Sequence, residues 1–184
     1  MTDRESGVLV FPIEPYELKD GYYRFGTKVR SRKVLWARHL GDDIILPAGT
    51  EVKAIGEGEV VWAEVREGSA EKRNWGGLVV LAHQHKKSQG PMTNDQTFFS
   101  VYGHMKNLQV KKGQLVVGGQ KLGEIAGALT AENGWWETPH LHFGIYTGPW
   151  EGRILPGYKR PGDGRGKFKW WRDPKPFIET YNRE

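Results

Sequence analysis

The chain has 184 residues, enough for one ordinary domain with its own core, and 38% of them are apolar, which excludes a disordered chain. Its formal net charge of +5 suits anionic partners but selects none of them, because no run of five or six like charges concentrates the Lys and Arg residues. The absence of cysteine excludes disulfides and thiolate metal sites, so any metal must be held by histidines and carboxylates.

The first residues carry no recognisable export signal. Residues 1–7 are polar, and the apolar stretch 8–13 is too short for the apolar region of a signal peptide. No stretch approaches the roughly 20 apolar residues of a membrane span. We therefore expect no transmembrane segment, and either a cytoplasmic chain or the mature form of an exported one.

Short β-type segments separated by glycine turns follow one another along the chain. Seven or eight such segments predict an all-β fold, either a sandwich or a barrel. The single helix candidate is residues 176–182, which begins with a proline at a permissible position. The expected strands lie within residues 50–62 (two strands, divided at 56–58), 77–83, 98–104, 108–117, 121–126 and 140–146.

Three longer connections interrupt this pattern, at residues 66–76, 86–97 and 127–139. Long loops on a rigid β scaffold are where recognition usually occurs. The third carries Trp135 and Trp136 just before a pair of histidines, and these side chains could form a substrate wall or fill the core. The region after residue 147 is rich in Gly, Pro, Trp and basic residues, and we expect it to wrap the domain.

The clearest chemical motif is His140-Leu141-His142 in the last core strand. Successive side chains on a strand point to opposite faces, so the two imidazoles share one face. Such a pair suits a metal or proton-transfer site, although an isolated His-x-His is more often structural. A competing pair, His83-Gln84-His85, runs into a polar loop and is the weaker metal candidate.

A second candidate is His39-Leu40-Gly41-Asp42-Asp43. In a straight strand the ends of this segment would lie roughly 13 Å apart, whereas two ligands of one zinc ion must lie within about 4 Å of each other. Gly41 and the nearby Pro47 disfavour a helix, so a turn or bulge at Gly41 is required if His39 and Asp43 share a metal. Asp42 would then be a solvated turn carboxylate.

These motifs, with Tyr102-Gly103-His104 between them, resemble the signature of the lysostaphin-type, LytM-like zinc peptidases. That signature is His-x-Gly-x-Asp, Tyr-x-His and Pro-His-Leu-His-Phe, and here the last motif is residues 139–143. The resemblance covers residues 39–146, including glycine-punctuated spacers such as 47–52 and 118–123. Three motifs in order are far more specific than any one of them.

The resemblance implies a role for each motif residue. His39, Asp43 and His142 would hold one zinc ion, while His104 and His140 would be catalytic and not ligands. One of these two would act as general base and the other would bind the developing oxyanion; the sequence does not assign which. Three protein ligands leave a fourth position open, as in catalytic zinc sites.

The resemblance also implies an antiparallel β-sandwich, of the barrel-sandwich-hybrid kind, with long loops around a metal groove. We expect residues 1–184 to form a single metallopeptidase domain: a family-like core 39–146, an N-terminal extension 1–38 and a basic, aromatic C-terminal tail 147–184. The implied substrate is a peptidoglycan cross-link or stem peptide, or a glycine-containing peptide, and the implied location is secreted, periplasmic or wall-associated. No nucleic-acid partner is expected, and the sequence leaves the oligomeric state open.

Three other functional hypotheses remain. Two histidines and one carboxylate with open positions also describe non-haem Fe(II) oxygenases, although the two additional histidines favour hydrolysis. A non-catalytic wall-binding module or hydrolase activator would share the fold. A lipoyl-type carrier would use a hairpin lysine such as Lys112 or Lys121, but it would leave the ordered histidines unexplained.

Overall fold

The structure is a computed structural model that describes residues 7–19, 23–31, 34–84, 97–161 and 168–183, with the backbone alone at positions 30, 31 and 34–36. These residues form twelve β-strands, one short 3₁₀ turn and one α-helix. The strands are β1 Lys28–Ser31, β2 Val34–His39, β3 Asp42–Ile44, β4 Glu51–Lys53, β5 Gly58–Arg66, β6 Gly76–Gln84, β7 Thr97–Lys106, β8 Leu115–Val116, β9 Lys121–Ile125, β10 Leu141–Tyr146, β11 Tyr158–Lys159 and β12 Trp171–Arg172. The 3₁₀ turn is Phe168–Trp170, and the helix α1 is Pro174–Tyr181.

The larger sheet is antiparallel throughout and has the order β12-β10-β7-β6-β5-β8. Three more strands join it: β3 pairs with the first residues of β10, β9 pairs with the last residues of β7, and β4 pairs with β9. The smaller sheet has the order β1-β2-β11. The predicted all-β antiparallel fold is confirmed.

Both faces of the central strands are covered, so these strands are apolar on both sides. On β6, Val79 and Leu81 face the main core, while Leu78 and Val80 face a second apolar cluster on the opposite side. All four are fully buried. This explains why the run is continuously apolar, where a one-sided strand would alternate.

The main core also includes the β4–β9 pair, which joins the large sheet through β7. Val52 of β4 and Leu122 and Ile125 of β9 belong to the same buried cluster as Tyr102 and Phe143. Residues 7–19 close one end of this core, where Leu9, Ile13 and Tyr16 are buried. The N-terminal residues are therefore part of the packing.

The C-terminal residues wrap the opposite face, as expected. The short strand β12 extends β10, with Trp171 opposite Tyr146, and the Trp171 indole is buried in the second cluster. The helix α1 returns to the main core through Ile178 and Tyr181. Part of this tail, residues 162–167, lies outside the described residues.

Most expected strands are present, but the strands before residue 50 and after residue 146 were not anticipated. Residues 108–117 form only the two-residue β8, and the helix begins at Pro174, two residues earlier than expected. The loop 86–97 lies almost entirely outside the described residues. Among the described residues, the single α-helix α1 has eight residues and is too short to span a membrane.

Candidate metal centre and catalytic site

The pairing of β3 with β10 builds the first half of the site. Asp43 lies opposite His142 and Asp42 lies opposite Phe143. Because neighbouring side chains alternate between faces, Asp43 and His142 point to the face that carries the candidate site, which we call the groove. Asp42 and Phe143 point into the main core. The Nδ1 atom of His142 lies 3.1 Å from Oδ1 of Asp43.

The bend between β2 and β3 brings His39 to the same place. β2 ends at His39 and β3 begins at Asp42, so the chain turns at Leu40 and Gly41, as the sequence required. A side chain at Gly41 would collide with the carbonyl oxygen of Phe143 and lie 2.8 Å from Nε2 of His142. Only glycine allows the bend to lie this close to β10.

The three predicted ligand residues converge on one point. Nε2 of His39 lies 3.3 Å from Oδ1 of Asp43 and 3.0 Å from Nδ1 of His142. Donor atoms bound at zinc distances to one tetrahedral ion lie roughly 3.3 Å apart. His39, Asp43 and His142 are all buried, and their donor atoms form a group that could hold a metal ion.

The chemistry of these atoms also fits a metal. Two imidazole nitrogens and a carboxylate oxygen are donors that zinc accepts in proteins. Burial lowers the pKa of His142 to about 4, so its ring is neutral and carries a lone pair at neutral pH. Burial opposes ionisation of Asp43, but the neighbouring His39 and His142 outweigh it and hold the pKa of Asp43 well below its usual value. A neutral imidazole and an ionised carboxylate are the ligand forms that bind a metal.

The two predicted catalytic histidines lie beside the triangle formed by the donor atoms of His39, Asp43 and His142. The rings of His104 and His140 are 4.5 Å apart between centroids, and Nε2 of His140 lies 3.9 Å from Oδ1 of Asp43. The Nδ1 atom of His140 is 2.8 Å from the carbonyl oxygen of Thr138. This bond places the ring proton on Nδ1 in the neutral form, which leaves Nε2 as an acceptor.

His104 reaches the groove through an unusual backbone conformation. Its φ is 65°, in the left-handed region that few non-glycine residues adopt. Without this departure, strand alternation would place His104 on the same face as the core residue Tyr102. Burial, followed by the neighbouring His140 and His142, holds the pKa of His104 well below its usual value. Strained backbone of this kind often occurs at functional sites.

Aromatic side chains form two walls around the histidines. Trp75 stacks on His104, with centroids 5.9 Å apart, and meets the ring of His142 edge-on at 4.9 Å. Trp136 meets both His104 and His140 edge-on. Of the tryptophan pair singled out in the sequence, Trp136 therefore lines the site, while Trp135 is half-buried in a left-handed conformation and its role stays a prediction.

The second wall comes from tyrosines that the sequence reasoning missed. Tyr158 of β11 lies opposite His39 in the small sheet, with ring centroids 5.1 Å apart, and Tyr23 contacts the same imidazole at 5.6 Å. Burial, followed by the charges of Asp43 and Tyr23, raises the pKa of Tyr158. No motif marked these residues, because both lie outside the stretch that resembles the family.

Two other polar residues of these motifs, Asp42 and His83, are buried away from the groove. Asp42 is fully buried, so its interpretation as a solvated turn carboxylate is wrong. His83 lies in the main core, where Nδ1 is 2.8 Å from the carbonyl oxygen of Glu57 and Nε2 is 2.7 Å from Oγ of Ser100. It takes no part in the metal triangle, and His85 lies outside the described residues.

Known proteins resemble this chain in sequence. The model of peptidase family M23 matches residues 37–153. The peptidoglycan DD-endopeptidases ShyA and ShyB of Vibrio cholerae are 32% and 30% identical to the chain over 107 residues, which is 58% of this chain and 20% of each relative. The chain thus spans about a fifth of the length of these curated relatives.

Solved structures give the same fold. The catalytic domain of the antimicrobial peptidase lysostaphin from Staphylococcus simulans is similar with a TM-score of 0.51 and 24% identity, over 89% of this chain and 92% of that one. The matched stretch 37–153 contains all five of the site histidines and carboxylates described above, at positions 39, 43, 104, 140 and 142. The chain belongs to peptidase family M23.

Proposed function

We propose that this chain is a zinc-dependent endopeptidase that hydrolyses peptide bonds in bacterial peptidoglycan. His39, Asp43 and His142 would hold one ion, and His104 and His140 would act on the substrate. The observation that carries the proposal is the 3.0–3.3 Å triangle of His39, Asp43 and His142 donor atoms with two further histidines beside it. The family is one of zinc peptidases, and the names of ShyA and ShyB support peptidoglycan as the substrate.

Each protein group has a task that follows from its position. A divalent metal bound at the triangle would supply Lewis-acid polarisation of the scissile carbonyl and would make water more acidic. His140 would accept the proton of the attacking water at Nε2, because its Nδ1 proton is held by the Thr138 carbonyl. Trp75 and Trp136 would exclude bulk water from the two histidines, which strengthens electrostatic interactions within the groove.

His104 would stabilise the oxygen on which negative charge develops. Its Nδ1 atom is buried and has no hydrogen-bond partner in the described part of the chain. Nδ1 would donate to that oxygen when it carries a proton, and an oxyanion donor is worth about a hundredfold or more in kcat. Both catalytic histidines are neighbours of the ligand triangle. Their position favours a hydrolase over the Fe(II) oxygenase hypothesis, and an enzyme over a non-catalytic module.

The proposal extends to location. An enzyme with this substrate would act outside the cytoplasm, in the periplasm, at the wall or as a secreted protein. The wall-directed names of ShyA and ShyB support this assignment.

Metal analysis combined with wall digestion tests the function. Purified protein should contain about one zinc per chain by plasma mass spectrometry. It should release soluble fragments with new amino termini from purified peptidoglycan, as read by mass spectrometry. Walls with glycine cross-bridges and walls with direct stem-peptide links, digested in parallel, would identify the bond. Stoichiometric zinc with no new termini from either wall, or from a panel of glycine peptides, would contradict the enzymatic assignment.

A further inference from the structure

A buried carboxylate next to the ligand Asp43 lies outside the catalytic scheme described above. The side chain of Asp42 is fully buried, and it points away from the groove into the main core. Its Oδ2 atom accepts a hydrogen bond of 2.8 Å from the hydroxyl of Tyr16, and its Oδ1 atom accepts one of 2.9 Å from the backbone amide of Phe25. Both oxygens are therefore held, from two directions.

Both partners come from the N-terminal part of the chain. Tyr16 and Phe25 lie outside residues 37–153, the stretch matched by the family model. The Tyr16 ring is itself fixed, 4.9 Å from Phe11 and 6.2 Å from Phe143 between centroids. A third bond, from the amide of Asp43 to the carbonyl oxygen of Tyr23, ties the same strand to the same region.

The strand that carries Asp43 needs such support. β3 has only three residues and pairs with only the first part of β10, so few ladder bonds fix its rotation about its own axis. A small rotation would move Oδ1 of Asp43 away from the two imidazole nitrogens. Because Asp42 and Asp43 are consecutive, anchoring the Asp42 side chain on one face fixes the direction of the Asp43 side chain on the other.

Burying a carboxylate is unfavourable, and an apolar residue could fill the same space without that penalty. Directional hydrogen bonds provide what an apolar side chain cannot, because they define one orientation of the strand. We propose that Asp42, held by Tyr16 and the Phe25 amide, is a positioning residue that aligns Asp43 in the metal centre. The proposal rests on the ligand set of the proposed function.

Zinc affinity of whole-chain variants, measured by competition with a chromophoric chelator, tests this. Asp42→Leu removes both hydrogen bonds and should raise the Kd for zinc about tenfold or more, as loss of a supporting partner does in other metal sites. Asp42→Asn keeps the shape, accepts from the Phe25 amide and can bond the Tyr16 oxygen, so it should restore affinity to within about threefold of wild type. Tyr16→Phe should fall between the two.

A matched control separates positioning from general loss of stability. Tyr102 is also a buried tyrosine, and its hydroxyl bonds with Ser100 and the Ile55 amide in the core. Tyr102→Phe should therefore lower the thermal midpoint of the metal-free protein and leave the Kd for zinc unchanged. Circular dichroism of each metal-free variant identifies any that fails to fold.

Three results would overturn the proposal. Wild-type zinc affinity in both Asp42→Leu and Tyr16→Phe would show that Asp43 needs no such alignment. Equal loss in Asp42→Asn and Asp42→Leu would assign the effect to the charge of Asp42. Wild-type zinc affinity in His142→Ala would refute the proposed ligand set, and the role of Asp42 would fall with it. If His142→Ala loses zinc, the ligand set stands, and the Asp42 and Tyr16 variants then test the positioning role by themselves.

Discussion

The described histidines of this chain lie in two different kinds of surroundings, the groove and the core. His39, His104, His140 and His142 surround a single carboxylate in the groove, where one ring nitrogen each of His39, His140 and His142 lies 3.1–3.9 Å from Oδ1 of Asp43. His83 has both ring nitrogens hydrogen-bonded inside the core. A ring nitrogen that converges with other donor atoms is available to a metal or substrate, whereas one hydrogen-bonded inside the core is structural.

The site histidines should separate into two classes by substitution. His142→Ala removes a proposed ligand, so it should lose both zinc and activity. His140→Ala leaves the triangle intact, so it should retain zinc while losing activity about 10²- to 10⁴-fold, the range for a general base. Zinc content and the rate of peptidoglycan digestion measure the two effects, with His83→Gln as a control outside the site. Retention of zinc by His142→Ala would refute the ligand assignment.

His83 should make the fold sensitive to mild acid. Burial lowers its pKa to about 4 in the native state, although the Glu57 carbonyl works in the opposite direction. Near pH 6 and below, the unfolded chain binds a proton that the native chain does not, so the free energy of unfolding falls as pH falls from about 6.5 to about 4. Over the whole window the loss would be roughly 3 kcal/mol.

Urea denaturation at pH 7.5, 6 and 5 measures this effect. His83→Gln should start from a lower stability at pH 7.5, because one buried hydrogen bond is lost or weakened, and should then lose less stability on acidification than wild type. Carboxylates with lowered pKa contribute equally to both proteins, so the difference between the two curves isolates His83. Parallel pH profiles would contradict the assignment.

Sequence patterns located the elements of the family-like core well and those around it poorly. β6, β7, β9 and β10 agree with apolar or alternating runs because their side chains contact a continuous core on one or both faces. The strands β3, β11 and β12 have two or three residues each and follow from tertiary contacts, such as Tyr158 opposite His39. Runs this short carry no periodicity that a sequence could display.

The motif residues of the candidate site could be predicted from the sequence, whereas the aromatic residues that surround them could not. The spacing of His39, Gly41 and Asp43 required a bend, and the geometry of that bend could be argued from the chain's reach alone. Trp75 and Tyr158 could not be found in that way, because they reach the groove only when a loop and the C-terminal tail fold over it. Asp42 was misjudged because nothing in the motif indicates that Tyr16 covers it.

The bend between β2 and β3 should be intolerant of any side chain at Gly41. Alanine there would place a methyl group against the Phe143 carbonyl and the His142 ring, so either the β10 backbone or the His142 ring must move. We expect Gly41→Ala to destabilise the protein by about 1–3 kcal/mol, as overpacking commonly does, and to weaken zinc binding at least tenfold. Denaturant unfolding and chelator competition measure the two effects.

Gly118 offers a matched control for that substitution. A methyl group there would lie 3.4 Å from Cα of Gly56, an ordinary contact, and the residue lies in the turn between β8 and β9. Gly118→Ala should change zinc affinity by less than twofold. Equal effects of the two substitutions would mean that the geometry of the Gly41 bend does not control the metal centre.

At the scale of the whole molecule, the extension and the tail complete both the core and the site. The matched stretch 37–153 omits buried residues from each end, among them Leu9, Ile13, Tyr16, Trp171, Ile178 and Tyr181. It also omits Tyr23 and Tyr158, which flank His39. We propose, on this ground, that residues 1–184 fold as one cooperative domain and that the matched stretch alone does not.

Thermal and urea unfolding of two chains test that domain proposal. Residues 1–184 should unfold in a single transition that coincides in far-ultraviolet circular dichroism and tryptophan fluorescence, as expected of one cooperative domain. Residues 37–153 should bind a hydrophobic dye and show no sharp transition, because the apolar faces covered by both ends would be exposed. In the full chain, Trp171→Ala should cost about 3–5 kcal/mol, since that indole is 3% exposed and packs on Tyr146. A cooperative, zinc-binding fragment 37–153, or a full chain with two separate transitions, would show instead that the ends are dispensable additions to an autonomous core.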